Sequence, residues 1–582
     1  MTKLRILAGA GLSLLCAFWA AAALAERVTV TINGIANKDM LESARANLEL
    51  KQYEGRDVSA AQARRLFDRG KEQITRSLEP FGFYNPTVEG RLERPEPGEF
   101  HAIFDVQVGD PVIIQESSIE VAPEAIALAP IEQSVERFEP KPGQRLDHAV
   151  YERSKDQIST ALANDGFLNA HLVRHKVSVV RSANTADIDL AWDVGPRYRL
   201  GELRFSPSQF PDSFLQKYKL WEDGEYYSAD KLLALQQSLV DADYFTSVAV
   251  APDLEHAANG EVPVDVMLIP AKRTLYAANI SFSTDSGPGA RLGVQRRWLN
   301  KRGHKLGGQV EYSGRLQEIA TTYQVPQPGP RPRNYTFGAG YRDETTDTSR
   351  SRMARLAATQ VAERWKGFTR TMGLQYLNGD FEIADERSET SLLYADTLLT
   401  RKQANDIYFP TSGYSLLYGL RFGFDQVLSD TSFAQVRAEG KWLRRVTSDG
   451  RVILRAALGA MIVDDFDALP PELRFFAGGD RSIRGFDYQA IGETNATGGV
   501  IGGEYLIAGG AEYEHFFFRN WGAAVFVDAG DAFKSSFDIN VGAGIGLRWK
   551  SPIGMVRVDV ARPVVTDLDG GWRVHLIIGP DL

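Results

Sequence analysis

From residue 275 onward, apolar and polar residues alternate with a period of two, in run after run. In 275–283, Tyr276, Ala278, Ile280 and Phe282 share one face, and Ala277, Asn279, Ser281 and Ser283 share the other. In 572–579, Trp572, Val574, Leu576 and Ile578 share a face, and Arg573 and His575 lie opposite. Successive side chains of a strand point to opposite sides, so each run carries one greasy and one polar face. Apolar-out and polar-in over segments of roughly ten residues is the pattern of a transmembrane β-barrel. Sixteen such runs are counted between 275–284 and 572–579, an even number, as bacterial barrels have. Past residue 25 no stretch offers about 18 uninterrupted apolar residues, the length a membrane helix needs. A chain of this kind crosses a bilayer only as a closed barrel. A soluble all-β domain would also alternate, but its inward faces would not carry these charges.

The first 25 residues have the form of a secretory signal. Lys3 and Arg5 open it, 6–24 is almost wholly apolar, and Ala23-Leu24-Ala25 offers a small-residue cleavage site before Glu26. The single cysteine, Cys16, lies inside this segment, so no disulfide is expected in the exported chain. A formal net charge of −9 argues against nucleic acid as a partner.

Between 26 and 274 the chain repeats a β-α-α-β-β unit three times, with expected domains at 26–109, 110–196 and 197–274. Each copy has a corner after its second helix: Gly82-Phe83-Tyr84, Gly166-Phe167-Leu168 and Asp243-Tyr244-Phe245. Self-similarity at a long, nearly fixed period marks an array. Such units offer sheet edges to which an extended partner can add as a strand. An inert spacer is the plainer alternative.

Within the expected barrel, 275–582, one interval breaks the alternation. The loop 464–503 carries Phe475, Phe476, Ile483 and Phe486 among paired glycines, with Arg484 in their midst. Apolar anchors suggest a loop folded into the lumen, where a charged guanidinium requires an acid. Alternation puts Asp528 on the inner face of 521–530, and Gly542, Gly544 and Gly546 on the inner face of the next run. Glycine there lets another backbone approach closely. Arg484 is therefore paired with Asp528 over a glycine floor, with Glu512 and Glu514 as competing acids. Closure must join the first and last runs. The last is short, delayed by Gly570 and Gly571 and ended by Gly579-Pro580, so pairing of 277–283 with 574–578 should be weak. Ala277, Asn279, Ser281, Arg573 and His575 are the seam candidates. No Gly-x-Ser-x-Gly elbow or phosphate-binding lysine loop occurs, and no enzyme chemistry or cofactor is expected. His171 and His175 fall in an expected strand, about 13 Å apart, and are not read as metal ligands.

The aromatic corners resemble those of POTRA (polypeptide-transport-associated) domains. Ile483-Arg484-Gly485-Phe486, with Phe526-Val527-Asp528-Ala529-Gly530 downstream, is similar to the paired signature of the two-partner-secretion and barrel-assembly transporter superfamily. The turns 285–288, 298–303 and 409–413 also look like that family's. Three POTRA-like units before sixteen strands most resemble the outer-membrane subunits of translocation and assembly modules. The resemblance implies a Gram-negative outer-membrane location with the N-terminal domains in the periplasm. It also implies a TamB-like inner-membrane-anchored partner, and clients such as autotransporters and other barrel proteins. A pore exporting one dedicated protein, a passive porin and a structural tether are the rival expectations.

Overall fold

The structure, a computed structural model, describes residues 27–579 apart from 330, 331, 407, 553 and 569. The expected leader 1–25 and the strand stop at Pro580 lie outside the described residues.

Each N-terminal repeat folds into a three-stranded sheet whose last strand in sequence is central in space. In the first, Arg27–Asn33 runs parallel to Glu99–Gln107, which pairs antiparallel with Thr87–Glu93. In the second, Ile113–Glu120 and His171–Val180 flank Thr185–Asp193. In the third, Arg199–Phe205 and Phe245–Pro252 flank Glu261–Pro270. The helices begin where the sequence supplies a cap. Ser59 Oγ accepts from Gln62 N at 3.3 Å ahead of Ala60–Leu78. Asp147 accepts from Ala149 N and Val150 N ahead of His148–Asn164.

The repeated corner is a helix stop. Gly82 (φ 85°), Gly166 (φ 99°) and Asp243 (φ 58°) each take the left-handed conformation that reverses the chain. Phe83 N then bonds back to Leu78 O at 3.2 Å, and Phe167 N to Leu162 O at 2.9 Å, closing a Schellman-type end. The aromatic residues that follow drop into the core.

Residues up to Gly201, with Asp223–Asp230 and Asp253–Pro263, form one compact unit. Glu202–Glu222, Lys231–Pro252 and the chain from Val264 onward form the other. Within this second unit the corner of the third repeat grips the turn between barrel strands Gly287–Arg296 and Lys305–Ser313. Tyr244 Oη donates to Gly303 O at 2.5 Å, Arg297 Nε to Asp243 at 2.9 Å, and Lys305 Nζ to Ala242 O at 2.7 Å.

Sixteen antiparallel strands then close a barrel in sequence order, from Thr274–Ser283 to Arg573–Gly579. The alternation read from the sequence falls as expected. In the thirteenth strand, Trp521–Phe533, the residues Gly522, Ala524, Phe526, Asp528 and Gly530 are buried and Val525 and Val527 exposed. The loop between the eleventh strand (Gly450–Val463) and the twelfth (Tyr505–Phe516) is packed inside. Phe475, Ile483, Phe486 and Ile491 form one core with Leu377, Leu392, Tyr394, Phe433 and Met461 of the wall. Gly459 has no Cβ because the Phe475 ring occupies that space.

The corners give a graded prediction. Gly82→Ala forces a Cβ into a left-handed residue and against Leu146 O, and should cost at least about 1–2 kcal/mol. Asp243→Gly relaxes the backbone but gives up a part-exposed ion pair, and should change stability by no more than about 1 kcal/mol. Denaturant unfolding followed by circular dichroism checks the order.

Candidate functional site

The lumen is built around four arginines and four acids in one connected network. Arg484 Nε donates to Asp528 Oδ2 at 2.7 Å, and its backbone N–H to the same oxygen at 3.3 Å. Its Nη1 reaches Glu512 Oε2 and Asp559 Oδ2, both at 2.8 Å. The guanidinium lies 3.4 Å from the centroid of the Phe526 ring. Arg548 binds Glu512 and Glu514 at 2.6 and 2.7 Å and Asp559 at 2.5 Å. Arg451 takes the second oxygen of Glu514, and Arg455 the first oxygen of Asp528, each at 2.6 Å. Asp528, Glu514 and Arg548 are fully buried. Burying so many charges is tolerable because every acid is bound by two arginines, and Arg484 and Arg548 each by three acids.

The sequence left the acid facing Arg484 open among Asp528, Glu512 and Glu514. The structure brings it to two of these at once, while Glu514 faces Arg548 and Arg451 instead. Asp559 and Arg548 were not singled out from the sequence. Both sit at inward positions of their strands, Gly554–Val565 and Asn540–Ser551, so the alternation that located Asp528 also carries them. The glycines have distinct tasks. A Cβ on Gly542 would overlap Arg484 O, one on Gly544 the Phe526 ring and Val560 O, and one on Gly546 the Asp559–Arg548 pair. Gly485 (φ 99°) passes against Arg562 and Pro563.

A second arginine anchors the base of the loop. Arg474 donates to Leu469 O at 2.8 Å, Ile501 O at 3.1 Å and Asp467 O at 3.3 Å, and stacks 4.3 Å from the Phe466 ring centroid. Backbone pairs Phe475–Gly503 and Ala477–Ile491 complete a folded hairpin rather than a slack crossing.

The seam differs from the expectation. The first strand pairs with the second along its whole length, Thr274–Ser283 against Arg296–Gly287. Against the last strand it has a single register pair, Ser283 opposite Ile577. Thr284 N donates to Leu576 O at 3.3 Å, and Leu576 N to Thr284 Oγ1 at 3.2 Å. Ala277, Asn279 and Ser281 pair with Gly293, Arg291 and Gly289 and have no partner on the last strand among the described residues. The cause is register. An antiparallel ladder through Ser283 and Ile577 sets Ser281 opposite Gly579, the last described residue of the final strand. Among the described residues, 274–282 of the first strand thus present an edge with no ladder partner on the last strand.

Arg573 and His575, expected on the inner face of the last strand, lie there and bind the loop. Arg573 clasps Asp487 through two bonds of 2.7 and 2.5 Å, which hold that carboxyl below the usual carboxylate range. His575 lies between Asp480 at 2.6 Å and Gly485 N at 2.9 Å. Gly570 packs on Pro563 and Gly571 faces open space ahead of the strand.

This geometry is that of an outer-membrane barrel with N-terminal POTRA domains, plugged by its own loop. The comparisons with known proteins agree. The Omp85 superfamily domain matches residues 291–579, and the POTRA domain called TamA domain 1 matches 29–108. The chain thus carries an Omp85 superfamily barrel behind a POTRA domain of the TamA type. It is 24% identical over 344 residues to sorting and assembly machinery component 50 homolog A of Xenopus laevis, covering 55% of this chain and 72% of that protein. It is 22% identical over 376 residues to the outer membrane protein assembly factor BamA of Nitratidesulfovibrio vulgaris, covering 60% of this chain and 46% of that protein. The fold is similar to BamA from Haemophilus ducreyi lacking POTRA domains 1–3, with a TM-score of 0.69 at 17% identity, over 80% of this chain and 99% of that one.

The network predicts unequal costs. Asp528→Asn leaves Arg484 with two carboxylates and should fall at or below the low end of the roughly 3–5 kcal/mol typical of a broken buried pair. Arg484→Met takes one of two arginines from each of three carboxylates, Asp528, Glu512 and Asp559, and should cost more. Protease protection of the 464–503 loop in the folded barrel reports both, and equal protection in the two variants would contradict the network.

Proposed function

We propose that the chain is the outer-membrane subunit of a translocation and assembly module, assisting the insertion or secretion of autotransporters and other barrel proteins. The observation that carries this reading is the seam. Among the described residues one register pair joins the first and last strands, and 274–282 of the first strand present an edge with no ladder partner on the last. Such an edge templates pairing with another strand, and a client segment added there gains main-chain hydrogen bonds before it enters lipid. The N-terminal domains are the surfaces for a TamB-like inner-membrane-anchored partner, each with a sheet whose outer strands are edges. The network around Arg484 holds the plug in place while the seam works beside it.

The test is a crosslink at the one register pair. With Cys16 replaced by serine, Ser283→Cys and Ile577→Cys should form a disulfide that leaves the barrel heat-modifiable and stops client assembly in cells, with reduction restoring it. Unimpaired assembly with the seam fully crosslinked would overturn the lateral route. Loss of export of one dedicated protein alone would favour a secretion pore. Indifference of every client would favour a porin or a tether.

A further inference from the structure

The seam strands barely touch each other, yet both are bonded to the same side chain. Asp480, 3% exposed, sits in the loop four residues before Arg484. Its Oδ1 accepts from Thr284 Oγ1 at 2.8 Å, just past the end of the first strand, and from His575 Nδ1 at 2.6 Å, on the last strand. Its Oδ2 accepts from Asp285 N at 3.3 Å, and its own N–H donates to Asp285 Oδ2 at 2.7 Å. The Thr284 hydroxyl also receives Leu576 N. One carboxylate and one hydroxyl therefore link three elements that the β-ladder does not join.

We propose that Asp480 is the positioning residue of the seam, tying the turn after the first strand to the last strand so that docking of the loop and closure of the barrel are one equilibrium. This rests on reading the seam as the working part of the protein. The imidazole bonds fix the arrangement. Gly485 N–H can only donate, so His575 Nε2 accepts and Nδ1 carries the hydrogen directed at Asp480. His575 acts as a neutral two-ended connector, one end on Asp480 and the other on the backbone beside Arg484. Asp487 adds the grip on Arg573. The segment 480–487 thus holds the last strand on one side and, through Arg484, the adjoining twelfth to fifteenth strands on the other. Coupling of this kind is reciprocal: whatever loop docking contributes to seam closure, seam closure returns to loop docking. Asp285, Asp480 and His575 lie close enough to receive a cation, with ligand atoms within 4.8 Å of one another. Both imidazole nitrogens and both Asp480 oxygens are already engaged in the hydrogen bonds above, so the tie closes without one.

The test uses full-length protein with Cys16→Ser, reconstituted in bilayers, carrying spin labels at Ser281→Cys and Ile578→Cys. The distance distribution across the seam is measured together with protease protection of the loop. Asp480→Asn should raise the open population about tenfold, the scale of one charge-assisted hydrogen bond. Thr284→Val, which keeps shape and loses the bridge, should act in the same direction and serves if Asp480→Asn fails to fold. His575→Asn retains a donor near the Nδ1 position and should stay closer to the parent than His575→Leu. Unchanged distributions in Asp480→Asn and Thr284→Val, or equal opening in the two His575 variants, would overturn the proposal. So would opening on addition of a chelator to the parent protein, because a metal would then hold the seam. The two readings fail separately. If Asp480→Asn opens the seam but the Ser283–Ile577 crosslink leaves clients unaffected, the tie stands and the assembly role falls. If the crosslink blocks clients while Asp480→Asn leaves the seam closed, the reverse holds.

Discussion

A guanidinium sealed inside a protein dictates its surroundings, and Arg484 does so here. Its charge is met by Asp528, Glu512 and Asp559, which come from three different strands of the wall. Each of the three is held by Arg484 and one further arginine, Arg548 for Glu512 and Asp559 and Arg455 for Asp528, which offsets the cost of burying them. The loop that carries Arg484 can therefore dock only onto a wall whose twelfth to fifteenth strands are already in register. The inward glycines follow from the same requirement, since a backbone reaching these acids must pass where side chains would otherwise stand. Plug, network and glycine floor are one solution to one electrostatic constraint.

A barrel in lipid normally satisfies its backbone by closing every ladder. This one closes fifteen of its sixteen junctions with extended ladders and leaves the last to a single register pair. The loop takes over part of the task, with the carboxylates of Asp480 and Asp487 and the backbone N–H of Gly485 bonded to His575 and Arg573. A ladder of main-chain bonds separates one residue at a time, whereas a few side-chain bonds from a single segment are released together.

How far this was legible in the sequence follows from which features are periodic. Alternation located the sixteen strands, the inward Asp528 and the three glycines, because side-chain direction in a strand is fixed by position alone. It also contained Asp559 and Arg548, which were passed over only because no neighbouring motif drew attention to them. The corner motifs placed the repeats, since a left-handed helix stop needs glycine or a tolerant residue such as Asp243. The partners of Asp480 and Asp487 were hidden. Loop side chains have no period, and their bonds depend on where a long segment lands inside the barrel. Seam register was hidden too: with both flanking strands alternating alike, a shift of two residues preserves every face, and only the assembled barrel decides.

The third repeat departs from its siblings by using aspartate where they use glycine, and the departure has a mechanical meaning. Asp243 and Tyr244 hold the turn between the second and third strands, and Arg273 binds the same turn through Trp298 O and Leu299 O. These bonds fix the hairpin that carries one side of the seam. The last strand is geared to the plug instead. The two sides of the seam are thus held by different segments of the chain, the first hairpin by Asp243, Tyr244 and Arg273, and the last strand by Asp480 and Asp487 of the loop.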